Sequence, residues 1–196
     1  GLDKDAQYKY RIKQGVPLPF VEVRIVNDEG VVQPWDGVAQ GDAELRGPWV
    51  TGSYHKNEGA DDKFSDDGWL KTGDVCNIDR YGYVKLTDRT KDLVKSGGEW
   101  ISSVDLENAI MGHPDVIEAA VIAVPHPKWD ERPLAAIVVK EGKTLDKDDI
   151  HQFLAGKFNK IWLPDAVETI DEIPKTSTGK FMKLKLREMY KDWRWD

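Results

Sequence analysis

Thr87-Asp88-Arg89-Thr90-Lys91-Asp92-Leu93-Val94-Lys95-Ser96-Gly97-Gly98-Glu99-Trp100-Ile101-Ser102 divides this chain in two. Its first half sets charges of alternating sign (Asp88, Arg89, Lys91, Asp92), which suits an exposed connector. Leu93 and Val94 then give a short apolar run. Gly97-Gly98 permits positive φ or a close approach of the backbone to a ligand. Taken alone, the stretch reads as a strand–turn–helix entry.

Outward toward the N-terminus the pattern is that of short strands. Val21, Val23 and Ile25 alternate with Glu22 and Arg24, the period of a half-buried strand. Asn27-Asp28-Glu29-Gly30 supplies a turn, after which Val31-Val32 resume. Residues 43–50 form a second strand, with Glu44 and Arg46 opposite Leu45, and the acidic stretch 57–68 is a loop with a helical turn. Residues 75–79 and 83–87 make a hairpin about Arg80-Tyr81-Gly82, while 1–19, with Gly15, Pro17 and Pro19, reads as irregular.

Toward the C-terminus helical and strand periods interleave. Residues 102–111 are helical, with Ser102 placed to cap and Asp105 three residues on. The apolar run 116–124 is a buried strand ended by Pro125-His126-Pro127, and 134–139 is another. Residues 144–158 are a helix carrying Ile150, Phe153, Leu154 and Phe158 on one face. A short strand at 166–170 and a helix over 180–191 follow. The expectation is an α+β chain: a β-rich part over 1–87, a connector over 88–93 and a small compact α+β domain over 94–196.

Composition narrows the function. Of 196 residues 40% are apolar, enough for a core, and no run approaches the ~18 apolar residues of a membrane span. The lone Cys76 allows no internal disulfide and fits a reducing compartment. A net charge of −7 argues against general nucleic-acid affinity. One local reversal stands out: Lys175, Lys180, Lys183, Lys185 and Arg187 occur with no acid among them. A solvated helix face accounts for most such runs, and a phosphate-seeking patch is the sharper alternative. His55, His113, His126 and His151 are scattered, so no metal site is expected. No local Ser-His-Asp signature occurs, and Trp193 and Trp195 suit packing better than base stacking.

Two further stretches bracket the connector: Trp69-Leu70-Lys71-Thr72-Gly73-Asp74 before it and Pro174-Lys175-Thr176-Ser177-Thr178-Gly179-Lys180 well after it. A nucleotide P-loop is ruled out for the latter, because Pro174 stands where its first glycine belongs and Phe181 where Ser or Thr should follow. In this order the three stretches resemble the last three signature motifs of the acyl-adenylate-forming enzymes, which include acyl-CoA synthetases, peptide-synthetase adenylation domains and beetle luciferases. The wording from Lys95 to Ser102, followed by Val104-Asp105-Leu106-Glu107-Asn108, resembles most the medium- and long-chain fatty acyl-CoA synthetases.

The resemblance implies that 1–87 is the β-rich end of a large N-terminal domain, 88–93 a hinge linker and 94–196 the small C-terminal domain. The family's Ser/Thr/Gly-rich phosphate loop and its adenine-contacting tyrosine segment do not occur in this sequence. The expectation is therefore a C-terminal piece, inactive alone, whose partner is the large N-terminal domain. By resemblance Asp74 binds the ribose hydroxyls, a role that suits an acceptor-only carboxylate facing two O–H donors. A turn aspartate capping its own backbone is the plainer alternative. Arg89 offers the ribose a planar fork of donors; its alternative is a surface pair with Asp88 or Asp92. Lys91 matches the hinge and contacts nucleotide, and Lys95 approaches nucleotide. Gly97 and Gly98 line the pantetheine tunnel of coenzyme A. Lys180 is the catalytic and α-phosphate-binding lysine, a flexible cation meeting charge as it builds on phosphorus oxygens.

The activity so implied is an ATP-dependent, AMP-forming fatty acid–CoA ligase. ATP/AMP and coenzyme A are its cofactors, with Mg2+ arriving on ATP and held by ligands outside this chain. Its partners are small molecules, not nucleic acid, and no transmembrane segment is expected. A cytoplasmic setting follows, with room for peripheral membrane contact. Two alternatives are an adenylation domain feeding a carrier protein, against which Glu99-Trp100-Ile101-Ser102 weighs, and a non-catalytic nucleotide-binding or docking module.

Overall fold

The computed structural model describes residues 1, 3–55 and 60–195. The chain is α+β and forms two compact units, Gly1–Lys91 and Asp92–Asp196.

The first unit carries a four-stranded antiparallel meander, β1 (Glu22–Val26), β2 (Gly41–Arg46), β3 (Leu70–Ile78) and β4 (Val84–Arg89), in sequential order. Strand alternation puts Ile25, Ala43, Cys76 and Ile78 together as a small core, with Val23 and Val84 against it. The turn after β1 forms as expected: Gly30 N–H donates to the Asn27 carbonyl at 3.0 Å. Val31-Val32 do not extend a strand, since only a single bridge joins Val26 to Val32 and both valines are exposed. The strand expected over 43–50 ends at Arg46. There Gly47, at φ +153°, passes so close to Phe20 that an added Cβ would lie 2.3 Å from the Phe20 carbonyl oxygen. The hairpin about Arg80-Tyr81-Gly82 is closed by the Asp79 carboxylate, which accepts from Tyr81 and Tyr83 N–H. Residues 1–19 are not wholly irregular: α1 (Lys4–Arg11) is capped by Asp3, whose carboxylate accepts from Ala6 N–H. The helical turn expected within 57–68 is the 3₁₀ turn Ala60–Lys63; residues 57–59 lie outside the described residues.

The second unit holds β5 (Val94–Ser96), β6 (Glu99–Ile101), α2 (Ser103–Met111), β7 (Val116–His126), β8 (Asp130–Val139), α3 (Lys147–Leu154), β9 (Ala166–Thr169) and α4 (Lys183–Met189). Its sheet runs β6-β5-β8-β7, with β9 parallel to β8. The apolar run of β7 and β8 is continuous because both faces are covered. Ala119, Val121, Ala135 and Ile137 point to α2 and α3, where Leu106, Ile110, Ile150 and Leu154 are fully buried. Ala120, Ile122, Leu134 and Ala136 point the other way, toward Ile173 and Leu186 of α4. Each buried Leu or Ile contributes about 1.5–3 kcal/mol.

Four local expectations are corrected. The central stretch is not strand–turn–helix but a hairpin: Gly97 and Gly98 at φ +56° and +85° have the two positive angles of a type I′ turn, and α2 follows β6. Pro125 does not end β7, which runs on to His126. Among the described residues β7 pairs only with β8, and the Pro125 carbonyl faces away from it toward Trp195, so the missing Pro125 N–H on that side costs no ladder bond. The helix expected over 144–158 is only Lys147–Leu154, started by an Asp146/Asp149 capping box and stopped by extended Ala155 and Gly156 at φ +77°. Phe158 still packs on the same core. The last helix begins at Lys183, because residues 174–182 are committed to a closed loop.

Candidate functional site

Asp74 sits fifth in β3, directly opposite Arg89 of β4. The register shifts between Val75 and Cys76, next to this pair. Arg89 Nε lies 3.0 Å from Asp74 Oδ1. The alternative partners expected for the Arg89 guanidinium are otherwise placed: the Asp88 carboxylate accepts from the Arg89 backbone N–H, and Asp92 pairs with Arg187. Thr72 Oγ1 accepts from Asp74 N–H and donates to the Ala43 carbonyl, fixing the backbone beneath the carboxylate. A cavity of about 640 Å³ adjoins, lined in part by Asp42, Gly73, Arg89, Thr90 and Lys91. The exposed Lys91 is the last residue of the first unit.

Charge is held tightly around this face. Trp69 is buried between the guanidinium carbons of Arg24 and Arg46, each 4.5 Å from its ring. Arg24 also takes Asp67 through Nη1 and Nη2, at 2.6 and 2.8 Å, and holds that carboxyl well below the usual carboxylate range, with Ser65 helping. Glu44 is buried at 2.6 Å from Arg24 Nε. Burial pushes the Cys76 thiol up to about 12, with the Asp74 and Asp42 charges adding to it, so Cys76 is no nucleophile at neutral pH.

In the second unit Lys95 N–H donates to Glu131 Oε2 at 2.9 Å, and its ammonium lies 5.0 Å from the Trp100 ring centre. The two glycines differ. A Cβ on Gly97 would stand 2.7 Å from Trp129 Cε3, so Gly97 is required by packing as well as by φ. A Cβ on Gly98 would meet nothing within 4 Å, which leaves its outer side clear for a ligand chain.

Lys180 stands on a closed loop. Thr176 N–H donates to the Lys180 carbonyl at 2.8 Å, Lys180 N–H to Thr176 Oγ1 at 3.2 Å, and Met182 N–H to the Pro174 carbonyl at 2.7 Å. Gly179 takes φ +82° to close it. The basic run expected to seek phosphate is largely neutralised within its own unit. Lys175 pairs with Glu118, Lys183 with Glu107 and Arg187 with Asp92, at 2.5, 2.6 and 2.7 Å. Among the described residues no carboxylate pairs with Lys180, which is exposed. Nor, among them, does any group of three or more His, Cys, Asp or Glu gather to hold a metal ion.

Residues 105–180 match the family described as the AMP-binding enzyme C-terminal domain. The match lies within the second unit. The chain is 50% identical over 98% of its length to a long-chain-fatty-acid–CoA ligase of Thermus thermophilus. It is 49% identical over 97% to a 3-methylmercaptopropionyl-CoA ligase of Ruegeria pomeroyi. It covers 36% and 35% of these proteins, so it spans about a third of their length. Over 92% of the chain it superposes on ATP-bound MatB from Rhodopseudomonas palustris with a TM-score of 0.78 at 36% identity, covering 36% of that structure.

Two residues within the matched stretch escape sequence reasoning. Arg132 is buried on β8 and reaches Ser96, the Ile161 and Leu163 carbonyls and Asp165. Glu107 is buried on α2, accepts from Val121 N–H and pairs with Lys183 at the start of α4. Arg132 stands between Glu131 and Pro133, ahead of the apolar run 134–139, so no local pattern marked it. Trp193 and Trp195 pack edge to face on the α4 core, with Trp195 Nε1 donating to the Pro125 carbonyl at 2.7 Å.

Proposed function

We propose that the full-length protein containing this chain, hereafter the parent, is an AMP-forming acid–thiol ligase that joins medium- to long-chain fatty acids to coenzyme A. In the first step the fatty carboxylate attacks the α-phosphorus of ATP and pyrophosphate leaves. In the second the thiol of coenzyme A attacks the acyl carbon and AMP leaves. Mg2+ enters with ATP, its ligands lying outside this chain. The names of the similar proteins support the acid–CoA class. The observation that carries the reading is Lys180, an exposed cation on a closed loop whose neighbouring cations are all committed to carboxylates except Lys185. Such an ammonium can meet a phosphate and a carboxylate. Asp74 and Arg89 together offer one acceptor and one donor fork, the complement of a vicinal diol. Lys95 approaches the nucleotide, Gly97 and Gly98 border the thiol path, and Lys91 is the hinge. The unpaired Cys76 supports a cytoplasmic setting.

The test is ATP–pyrophosphate exchange by the parent across carboxylic acids from acetate to palmitate, with product analysis after adding coenzyme A. Exchange driven best by the longer acids, with acyl-CoA as product, is expected. Exchange whose acyl group moves only to a carrier protein would displace the CoA reading. The isolated chain is expected to make no acyl-CoA.

Asp74→Ala in the parent is expected to weaken nucleotide binding by about 1.5–3 kcal/mol, a roughly 10- to 10²-fold rise in Kd. Stability should fall far less. The Asp74–Arg89 pair is 60% exposed on the arginine side, and pairs of that kind contribute about 0–1 kcal/mol. Unchanged ATP affinity by calorimetry would remove Asp74 from the site.

A further inference from the structure

Among the described residues the β5–β6 hairpin joins the rest of its sheet through a single residue pair, Ser96 opposite Asp130. Two strands of three residues are not stable alone in water, so something else must hold the Gly97-Gly98 turn. Residues 129–132 do this in succession. The Trp129 carbonyl accepts from Gly97 N–H at 3.0 Å and its ring covers that glycine. Glu131 Oε2 accepts from Lys95 N–H, and Arg132 Nη1 donates to Ser96 Oγ at 2.9 Å.

Arg132 is the fixed point of this arrangement. It is 4% exposed and places every one of its five N–H groups. Nε and Nη2 hold the two oxygens of Asp165 at 2.6 and 3.0 Å. Nη1 reaches the Ile161 carbonyl at 2.6 Å as well as Ser96, and Nη2 the Leu163 carbonyl at 3.1 Å. A buried guanidinium with all donors engaged has one geometry, and the hydroxyl beside Gly97 inherits it.

We infer that Arg132 is a positioning residue for the Gly97-Gly98 turn, acting through Ser96, and that it serves the thioester-forming step and not the adenylate-forming step. The inference rests on the ligase reading above. The separation follows from the wiring. The Lys180 loop is closed by its own backbone and by Lys175–Glu118, and α4 is anchored by Lys183–Glu107 and Arg187–Asp92. None of these contacts includes Arg132 or its partners.

Ser96→Ala removes the one bond that links Arg132 to the turn and leaves the Asp165 and carbonyl contacts in place. Arg132→Lys keeps the charge but has three donors where five are used. In the parent, both variants should slow single-turnover acyl transfer from supplied acyl-adenylate by about 10- to 10²-fold, as a displaced reacting group does, and raise KM for coenzyme A. Pyrophosphate exchange should be unchanged. A merely structural role would lower both half-reactions in proportion, and that outcome overturns the inference. Amide hydrogen exchange supplies a readout independent of activity. Ser96→Ala should unprotect residues 95–98 while leaving 174–182 as they were, and an unaltered turn would equally overturn it. A wild-type parent without pyrophosphate exchange would instead fell the ligase reading, which is a separate result.

Discussion

Lys180→Ala in the parent is expected to lower ATP–pyrophosphate exchange by about 10²–10³-fold, the cost of losing one preorganised donor to a developing oxyanion, while thioester formation from supplied acyl-adenylate should survive. The loop itself should not suffer. Its closure uses the Thr176 and Lys180 backbone, Thr176 Oγ1 and the Pro174–Met182 bond, none of which involves the Lys180 ammonium. Exposed substitutions away from special contacts change stability by no more than about 0.5 kcal/mol. A large kinetic loss with an unchanged melting temperature therefore reports on chemistry. Equal damage to both half-reactions would mean that Lys180 does not act on the first alone.

Gly98→Leu should do the reverse, leaving pyrophosphate exchange near the parent rate and reducing transfer to coenzyme A by at least about 10²-fold. Gly98 is the better probe of the two glycines because its missing Cβ faces open space, whereas a side chain on Gly97 would collide with Trp129. Strain remains to be separated from bulk, since φ +85° costs a residue with a Cβ about 1–2 kcal/mol. Gly98→Asn makes that separation, as asparagine visits this region readily. If Asn is tolerated and Leu is not, obstruction is the cause. If both fail alike, the turn conformation alone matters and the thiol path lies elsewhere.

What was legible in the sequence was local. Ser102 caps α2 through a bond three residues away, and the 27–30 and 80–82 turns are closed within themselves, so short windows contain their causes. The motif residues were legible by resemblance, and the structure adds that two of them, Asp74 and Arg89, face each other across a strand pair. Illegible were features whose partners lie far off. α1 buries none of its own side chains and so shows no apolar period. Arg132 draws on residues 29 to 36 positions away, and Glu44 on Arg24 across β1 and β2. Pro125 was misjudged because a proline ends a strand unless that strand lies at an edge, and edge position is a property of the sheet. The basic run at 175–187 looked like one patch because its counter-charges, Asp92, Glu107 and Glu118, belong to other elements.

Cys76 has a practical consequence for watching this molecule move. Its side chain is fully buried and its thiol is pushed up to about 12, so at pH 8 it stays a thiol. The native cysteine is thereby silent toward maleimides and spin labels without being mutated. A second cysteine placed at exposed Glu99 becomes the sole labelling site of this segment. A fluorescent or spin probe there reports on the Gly97-Gly98 turn in an otherwise native sequence.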